Sequence, residues 1–344
     1  MDSLSQIALG ASVGIAVMCG GPSAGGRRTA VWKAALWGAV CGTLPDLDVL
    51  FDHGDPIRNM VLHRAESHSL FWLSVVSLPL AAGIARLHGE WALWRRWWLA
   101  VWLMLVTHPL LDAMTVYGTQ LGLPFTHHPY GVGSMFIVDP LYTVPLLVGG
   151  IWALGAHHAS RGLKANAIGL AFSTAYLAWS VVAQVQVERT AREALQAQGI
   201  QATQVLVTPA PLNTLLWRVV AMDGDQYHEG FRSLLDGAAP MHFDRFPSGR
   251  ALAPEVQAIE GMQRLSAFTQ GFYKLHETSG RIVITDLRMG QEPTYTFSFA
   301  IAERRGATVQ PLPAPVPEGR RLDVQRGLAW LWRRMWGEPL PPPR

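Results

Sequence analysis

The chain has 344 residues, 49% of them apolar, with 14 tryptophans, a mean hydropathy of +0.17 and a formal net charge of +3. That is too apolar for an ordinary soluble protein and points to membrane-crossing segments. A charge this small, with no basic block, excludes a nucleic-acid-binding face, and the pI of about 9.0 reads as membrane-flanking arginines. Cys19 and Cys41, the only cysteines, lie in apolar segments and read as small buried hydrophobes, so cysteine usage does not report the compartment. Of the 53 Asp, Glu, Lys and Arg residues only 19 fall in 1–187, which holds ten of the 14 tryptophans. A membrane domain over 1–187 is therefore expected to precede a water-soluble one.

Six hydrophobic segments are read at about 4–20, 30–44, 69–86, 97–117, 136–155 and 165–187, several of them near the ~20 residues a span needs. The expected fold is an all-α polytopic membrane domain of about six helices. The first segment has no Lys or Arg before it and no small-residue cleavage site after it, so it reads as a retained helix and not a signal peptide. Gly10 and Gly14, four apart, permit close helix contact. Loop charges alternate. Arg27, Arg28, Lys33, Arg86, Arg95, Arg96, Arg161 and Lys164 fall on one side, against Arg58 and Arg64 on the other. The positive-inside rule puts the first group in the cytoplasm. The N-terminus, the Asp/His-rich loops and the C-terminal domain are then expected to face outward, into the periplasm if the chain is bacterial.

Polar residues interrupt this apolar region in three places. Asp46 and Asp48 follow Pro45, which is expected to end the second helix; two carboxylates there either converge on a cation or form a solvated acidic turn. His63 and His68 open the third segment, five apart and so on different helix faces, with Ser67 or Ser69 as the helix N-cap. Between them, Glu66 is a general base, an outer-sphere group or a solvated side chain, and Arg64 either holds an anionic substrate group or is a plain loop arginine. His108 and Asp112 lie one turn apart inside the fourth segment, readable as metal ligands, a buried structural pair or a proton relay. Clustered His and Asp are the ligand set of a divalent metal, and ionisable groups at membrane depth are costly enough to signal function. His127, His128 and Asp139 are peripheral candidates on the same side, or loop residues without a role.

The stretches MDSLSQ at 1–6, LPDLD at 44–48, HRAESHS at 63–69, THPLLDA at 107–113, YGTQ at 117–120 and DPLYT at 139–143 resemble the YdjM-type inner-membrane metal-dependent hydrolase family, also called the membrane-bound metal-dependent hydrolase family of unknown function. That family is distantly similar to zinc-dependent phospholipase C and P1-type nucleases. The resemblance implies a divalent metal, zinc before manganese or magnesium, held by Asp46, Asp48, His63, His68, His108 and Asp112. Asp48, Arg64 and Glu66 are the candidates for the chemical step. Gln6 and Ala65 depart from the pattern, standing where many relatives have His and Gly. NTLLWRVV at 213–220 and TDLRMG at 285–290 resemble the extra domain of a long proteobacterial branch.

Beyond the membrane domain, 188–200 reads as a helical stalk, 203–208, 214–222, 281–287 and 294–302 as strands, and 226–236 and 255–270 as helices. Together they make a soluble α+β domain over 188–310, with no nucleophile elbow, P-loop or zinc-finger spacing. Residues 311–317 read as a Pro-rich linker, and 322–336 as an amphipathic helix lying on a membrane or docked on its own domain. The function expected is metal-assisted hydrolysis of a phosphoester in a membrane lipid or lipid-linked substrate, with no nucleic-acid partner. A transporter using His108 and Asp112 as an ion relay, and a non-enzymatic membrane regulator or scaffold with a metal site, are the alternatives.

Overall fold

The computed structural model describes residues 1–20, 29–319 and 323–344; Arg27, Arg28 and Leu322 lie outside them. The chain divides into two compact units, residues 1–50 with 63–180, and residues 51–62 with 181–344.

The first unit is helical. Asp2 caps α1 (Ser3–Cys19) by accepting from the Ser5 N–H, and α2 (Val31–Thr43) packs closely on it. The contact is backbone on backbone: a Cβ on Gly10 would sit 2.1 Å from the Gly38 carbonyl oxygen, and one on Gly42 2.5 Å from that of Gln6. Gly10 thus serves the helix contact expected of it. After Thr43 the chain tightens into a 3₁₀ turn, Pro45–Leu50. Leu44 itself stays helical (φ −56°, ψ −43°), so the helix stops because Pro45 cannot donate to the next turn, not because Leu44 is pushed out. The next helix, α3 (Pro56–Leu62), belongs to the second unit.

Ser69 caps α4 (Leu70–Leu87) by accepting from the Trp72 N–H. α5 (Trp94–Asp112) supplies the centre of the core, where Trp97, Val101, Met104 and Leu105 are fully buried against Met18, Ala34, Cys41, Leu73 and Ala81. Asp139 caps α6 (Pro140–Gly155), accepting from the Leu141 N–H at 3.0 Å and the Tyr176 hydroxyl at 2.9 Å. α7 (Ala159–Ala197) runs without a break through the expected stalk and carries the chain from the first unit into the second. All six expected hydrophobic segments fall on helices, with α5 ending at Asp112 and not near 117. Of these, α4 and α7 are long and apolar enough to cross a membrane, while α1 and α6 are shorter apolar helices.

The second unit is rich in sheet. One antiparallel sheet has the order β1-β2-β3-β4, with β1 (Gln204–Pro209), β2 (Leu216–Asp223), β3 (Gln226–Ser233) and β4 (Phe243–Pro247). Helices α8 (Ala253–Val256) and α9 (Glu260–Phe268) follow. The second sheet, β10-β9-β6-β5, uses β5 (Tyr273–Thr278), β6 (Arg281–Asp286), β9 (Ser298–Arg305) and β10 (Thr308–Pro317), and β7 (Gly290–Gln291) pairs with β8 (Thr294–Tyr295). α10 (Val324–Met335) closes the chain.

Two expectations need correction here. Residues 226–236 are not helical: 226–233 form β3, paired residue for residue with β2 across a turn at Gly224 (φ +56°). Gly230 sits mid-segment, where it weakens a helix, and pairing with a fully buried β2 decides the outcome. The Pro-rich stretch is not a linker either. It is β10, whose register against β9 shifts between Pro311 and Val316. The strand lies at the sheet edge, where a missing N–H costs no ladder bond.

Ala at Gly38 would set a Cβ 2.2 Å from the Gly10 carbonyl oxygen, whereas a Cβ on Gly83 in α4 meets nothing. G38A is therefore expected to lower the detergent-solubilised melting temperature, at about 1–3 kcal/mol of overpacking. G83A should leave it unchanged or raise it slightly through helix propensity.

Candidate metal centre

Among the described residues, Asp46, His68, His108 and Asp112 each turn one ligand atom toward the others. The folding reasons are local. Asp46 stands on the 3₁₀ turn that Pro45 starts, and His68 ends a second short 3₁₀ turn, Glu66–His68, just before the Ser69 cap. His108 and Asp112 share the last turn of α5. His68 Nε2 lies 3.3 Å from Asp46 Oδ1 and 3.2 Å from Asp112 Oδ2; His108 Nε2 lies 3.4 Å from each of the same two oxygens. The two Nε2 atoms are 3.1 Å apart. His68, His108 and Asp112 are buried, and Asp46 keeps the group's one opening to solvent, at 23% of its side chain.

Proton positions follow from the outer partners. His108 Nδ1 lies 2.6 Å from the Gly42 carbonyl oxygen, which only accepts, so Nδ1 carries the hydrogen. Ser67 donates its one hydroxyl hydrogen to Asp48 Oδ2 at 2.6 Å, so the 2.8 Å contact between Ser67 Oγ and His68 Nδ1 is donated by His68. In their neutral forms both rings then present bare Nε2 lone pairs to each other and to two carboxylate oxygens. Asp46 Oδ1 and Asp112 Oδ2 are buried without a hydrogen-bond donor. Four acceptors with no proton among them repel, and a cation at their centre removes the conflict. The spacing suits it: a tetrahedron with ligand distances of about 2.0–2.1 Å has edges of about 3.3–3.4 Å. A two-nitrogen, two-oxygen donor set of this size fits zinc better than magnesium, which prefers six oxygens.

The remaining expected residues occupy a surrounding shell. Asp48 and His63 stand outside the four-atom cluster. His63 Nδ1 pairs with Asp48 Oδ1 at 2.8 Å, while Asp48 Oδ2 also accepts the Arg64 N–H at 3.0 Å. Burial pushes the Asp48 carboxyl up, but bonds from His63, Ser67 and the Arg64 N–H outweigh it and hold the group below the usual carboxylate range. With both Asp48 oxygens committed, neither faces the cluster. Arg64 does reach it: the side chain is buried, with Nε 3.3 Å from Asp112 Oδ2, Nη1 3.3 Å from Thr115 Oγ1 and the guanidinium over the Tyr117 ring. Its backbone is left-handed at φ +66°, which turns the N–H toward Asp48. Glu66 is exposed and apart from the cluster, as are His127 and His128, and Asp139 serves as the α6 cap.

Several functional contacts were not foreseen. Gln6 Nε2 donates to Asp112 Oδ1 at 3.1 Å, an oxygen that also receives the Met1 nitrogen. The Gln6 amide thereby holds the Asp112 carboxylate from the α1 side. Ser67, a candidate cap by sequence, instead links Asp48 to His68, and the Gly42 carbonyl leaves no trace in composition or spacing.

Outer partners of this kind tune metal affinity about 10–100-fold. H68A, H108A and D112A are expected to purify without stoichiometric metal by elemental analysis. S67A should retain metal but lose it to a weaker chelator than the wild type requires.

The sequence model of the family described as YdjM inner membrane protein matches residues 1–187. No curated protein and no solved structure matches the chain.

Proposed function

Because the chain belongs to the YdjM inner membrane protein family, we propose that it is a multi-pass membrane hydrolase that cleaves a phosphoester of a lipid or lipid-linked substrate with a divalent metal, zinc by preference, held by Asp46, His68, His108 and Asp112. The observation that carries this is the convergence of two imidazole nitrogens and two carboxylate oxygens, the latter without hydrogen bonds, in a largely buried setting. A divalent ion held there supplies Lewis acidity, lowering the pKa of water to about 7 and polarising a phosphoryl oxygen.

The chain's own residues supply the rest. Arg64 holds a phosphoryl oxygen beside the ligands, stiffened by Tyr117 beneath it and Thr115 at its tip. His63 is partly exposed, at 24% of its side chain, and backed by Asp48 through Nδ1, leaving Nε2 to take up or give a proton. Asp48 positions that ring, as does the edge-on contact of His63 with Tyr117. Glu66 has no part in this scheme.

Lipid as the substrate class is supported by the ligand turn itself, where Leu47, Val49 and Leu50 are exposed beside Asp46 and Asp48. Multi-pass insertion is supported by apolar side chains left exposed along α4 (Val75, Val76, Leu78), α6 (Val148, Ile151, Trp152) and α7 (Ile168, Phe172). The loop-charge alternation supports a site that faces outward, into the periplasm if the chain is bacterial.

A second reading is supported by the donor count: four protein ligands complete a tetrahedron, as in structural zinc sites, where catalytic sites keep a position open. The chain would then be a membrane scaffold or regulator. Assay of the purified protein against phospholipids in mixed micelles and simple phosphodiesters separates the two. Metal-dependent turnover, lost in D112A and on chelation and restored by zinc, is expected. Full metal content without turnover on any phosphoester selects the scaffold, and undiminished turnover in metal-free protein sinks the metal mechanism. H63Q is expected to keep its metal while losing about 10²–10⁴ in kcat, a separation that H108A cannot show.

A further inference from the structure

We infer that α10 is an interfacial anchor whose outer face lies on an anionic phospholipid surface, a role separate from the hydrolase reading. The helix carries two apolar faces. One is spent inside its own unit: Leu331 packs with Leu216 and Phe231, Trp330 sits edge-on to the Phe231 ring, and the Met335 carbonyl accepts from Ser233 Oγ at 2.7 Å. Arg334 pins that face through Asp236, at 2.6 and 2.7 Å, and the Phe231 carbonyl.

The other face is exposed among the described residues. Val324, Leu328, Trp332 and Trp336 are 59%, 48%, 62% and 55% exposed. Spaced four apart, they advance about 40° each and form one continuous stripe. Two tryptophans and a leucine on the solvent side of a docked helix cost free energy in water and gain it at a bilayer interface, where tryptophan is favoured. Arg326 and Arg333 flank the stripe and are exposed, Arg333 in a pair with Glu338, and residues 320–338 hold five arginines, one of them spent on Asp236, against Asp323 and Glu338. That charge complements anionic headgroups and disfavours a basic or neutral partner. Residues 1–187 belong to an inner membrane protein family, so a bilayer is always within tethered reach and weak intrinsic affinity suffices.

The test uses the full chain reconstituted in bilayers of phosphatidylethanolamine and phosphatidylglycerol. L328C is labelled with an environment-sensitive fluorophore; Cys19 and Cys41 are buried and react slowly. A blue-shifted emission, quenched by lipids carrying a nitroxide near the headgroup, is expected, and W336C reads the same stripe from its other end. Water-like, unquenched emission at both positions overturns the anchor. So does a blue shift that resists nitroxide lipids and persists in detergent, which would place a second copy of the chain on the stripe. Quenching is expected to fall in phosphatidylcholine alone, and no fall overturns the assignment to an anionic surface.

Discussion

The first unit is organised around an electrostatic conflict. Two imidazole nitrogens and two carboxylate oxygens sit 3.1–3.4 Å from one another across the measured pairs, with their protons committed elsewhere. Hydrogen bonds to the Gly42 carbonyl and to Ser67 fix both rings with their lone pairs inward. A cation bound among the four atoms would satisfy all of them at once.

The glycine contact between α1 and α2 serves the same end. Gly10 and Gly38 bring the two backbones together, and Gly42, one turn further, lies against the Gln6 backbone. That places the Gly42 carbonyl over His108 Nδ1 and the Gln6 amide over Asp112. A helix pair held one side chain further apart would deliver neither. Small residues that read as membrane packing in the sequence are therefore also the device that aims two side chains of the cluster, His108 and Asp112, on a third helix, α5. The close contact gives up side-chain burial and gains position.

How much of this was legible depended on whether the signal was local. His108 and Asp112 stand out because a helix turn in an apolar segment offers no other reason for them. Asp46 stood out beside Pro45. The split of Asp46 from Asp48 was not legible, since two residues on a 3₁₀ turn differ in direction by an amount that spacing alone does not fix. The same holds for His63 and His68: both looked like ligands, and only the position of Asp48 between His63 and Ser67 sorts one into the cluster and the other into the surrounding shell. The helical domain followed from hydropathy. Strands β3 and β10 did not, because pairing with β2 and an edge position overrode local glycine and proline signals.

The distribution of charge along the helices carries the argument one step further. The ligands and their partners sit where α1 begins, α2 ends, α4 begins and α5 ends. The basic residues gather at the opposite ends: Lys33 at the start of α2, Arg86 at the end of α4, Arg96 at the start of α5. Glu90 at that end binds Lys33, Thr29 and Trp97, so its single carboxylate is consumed locally. The site end sets two cationic groups against its carboxylates, Arg64 and the Met1 amino nitrogen, and both are turned inward onto Asp112. The carboxylates and the buried Arg64 are thus gathered at one pole of the helices, away from the other basic residues.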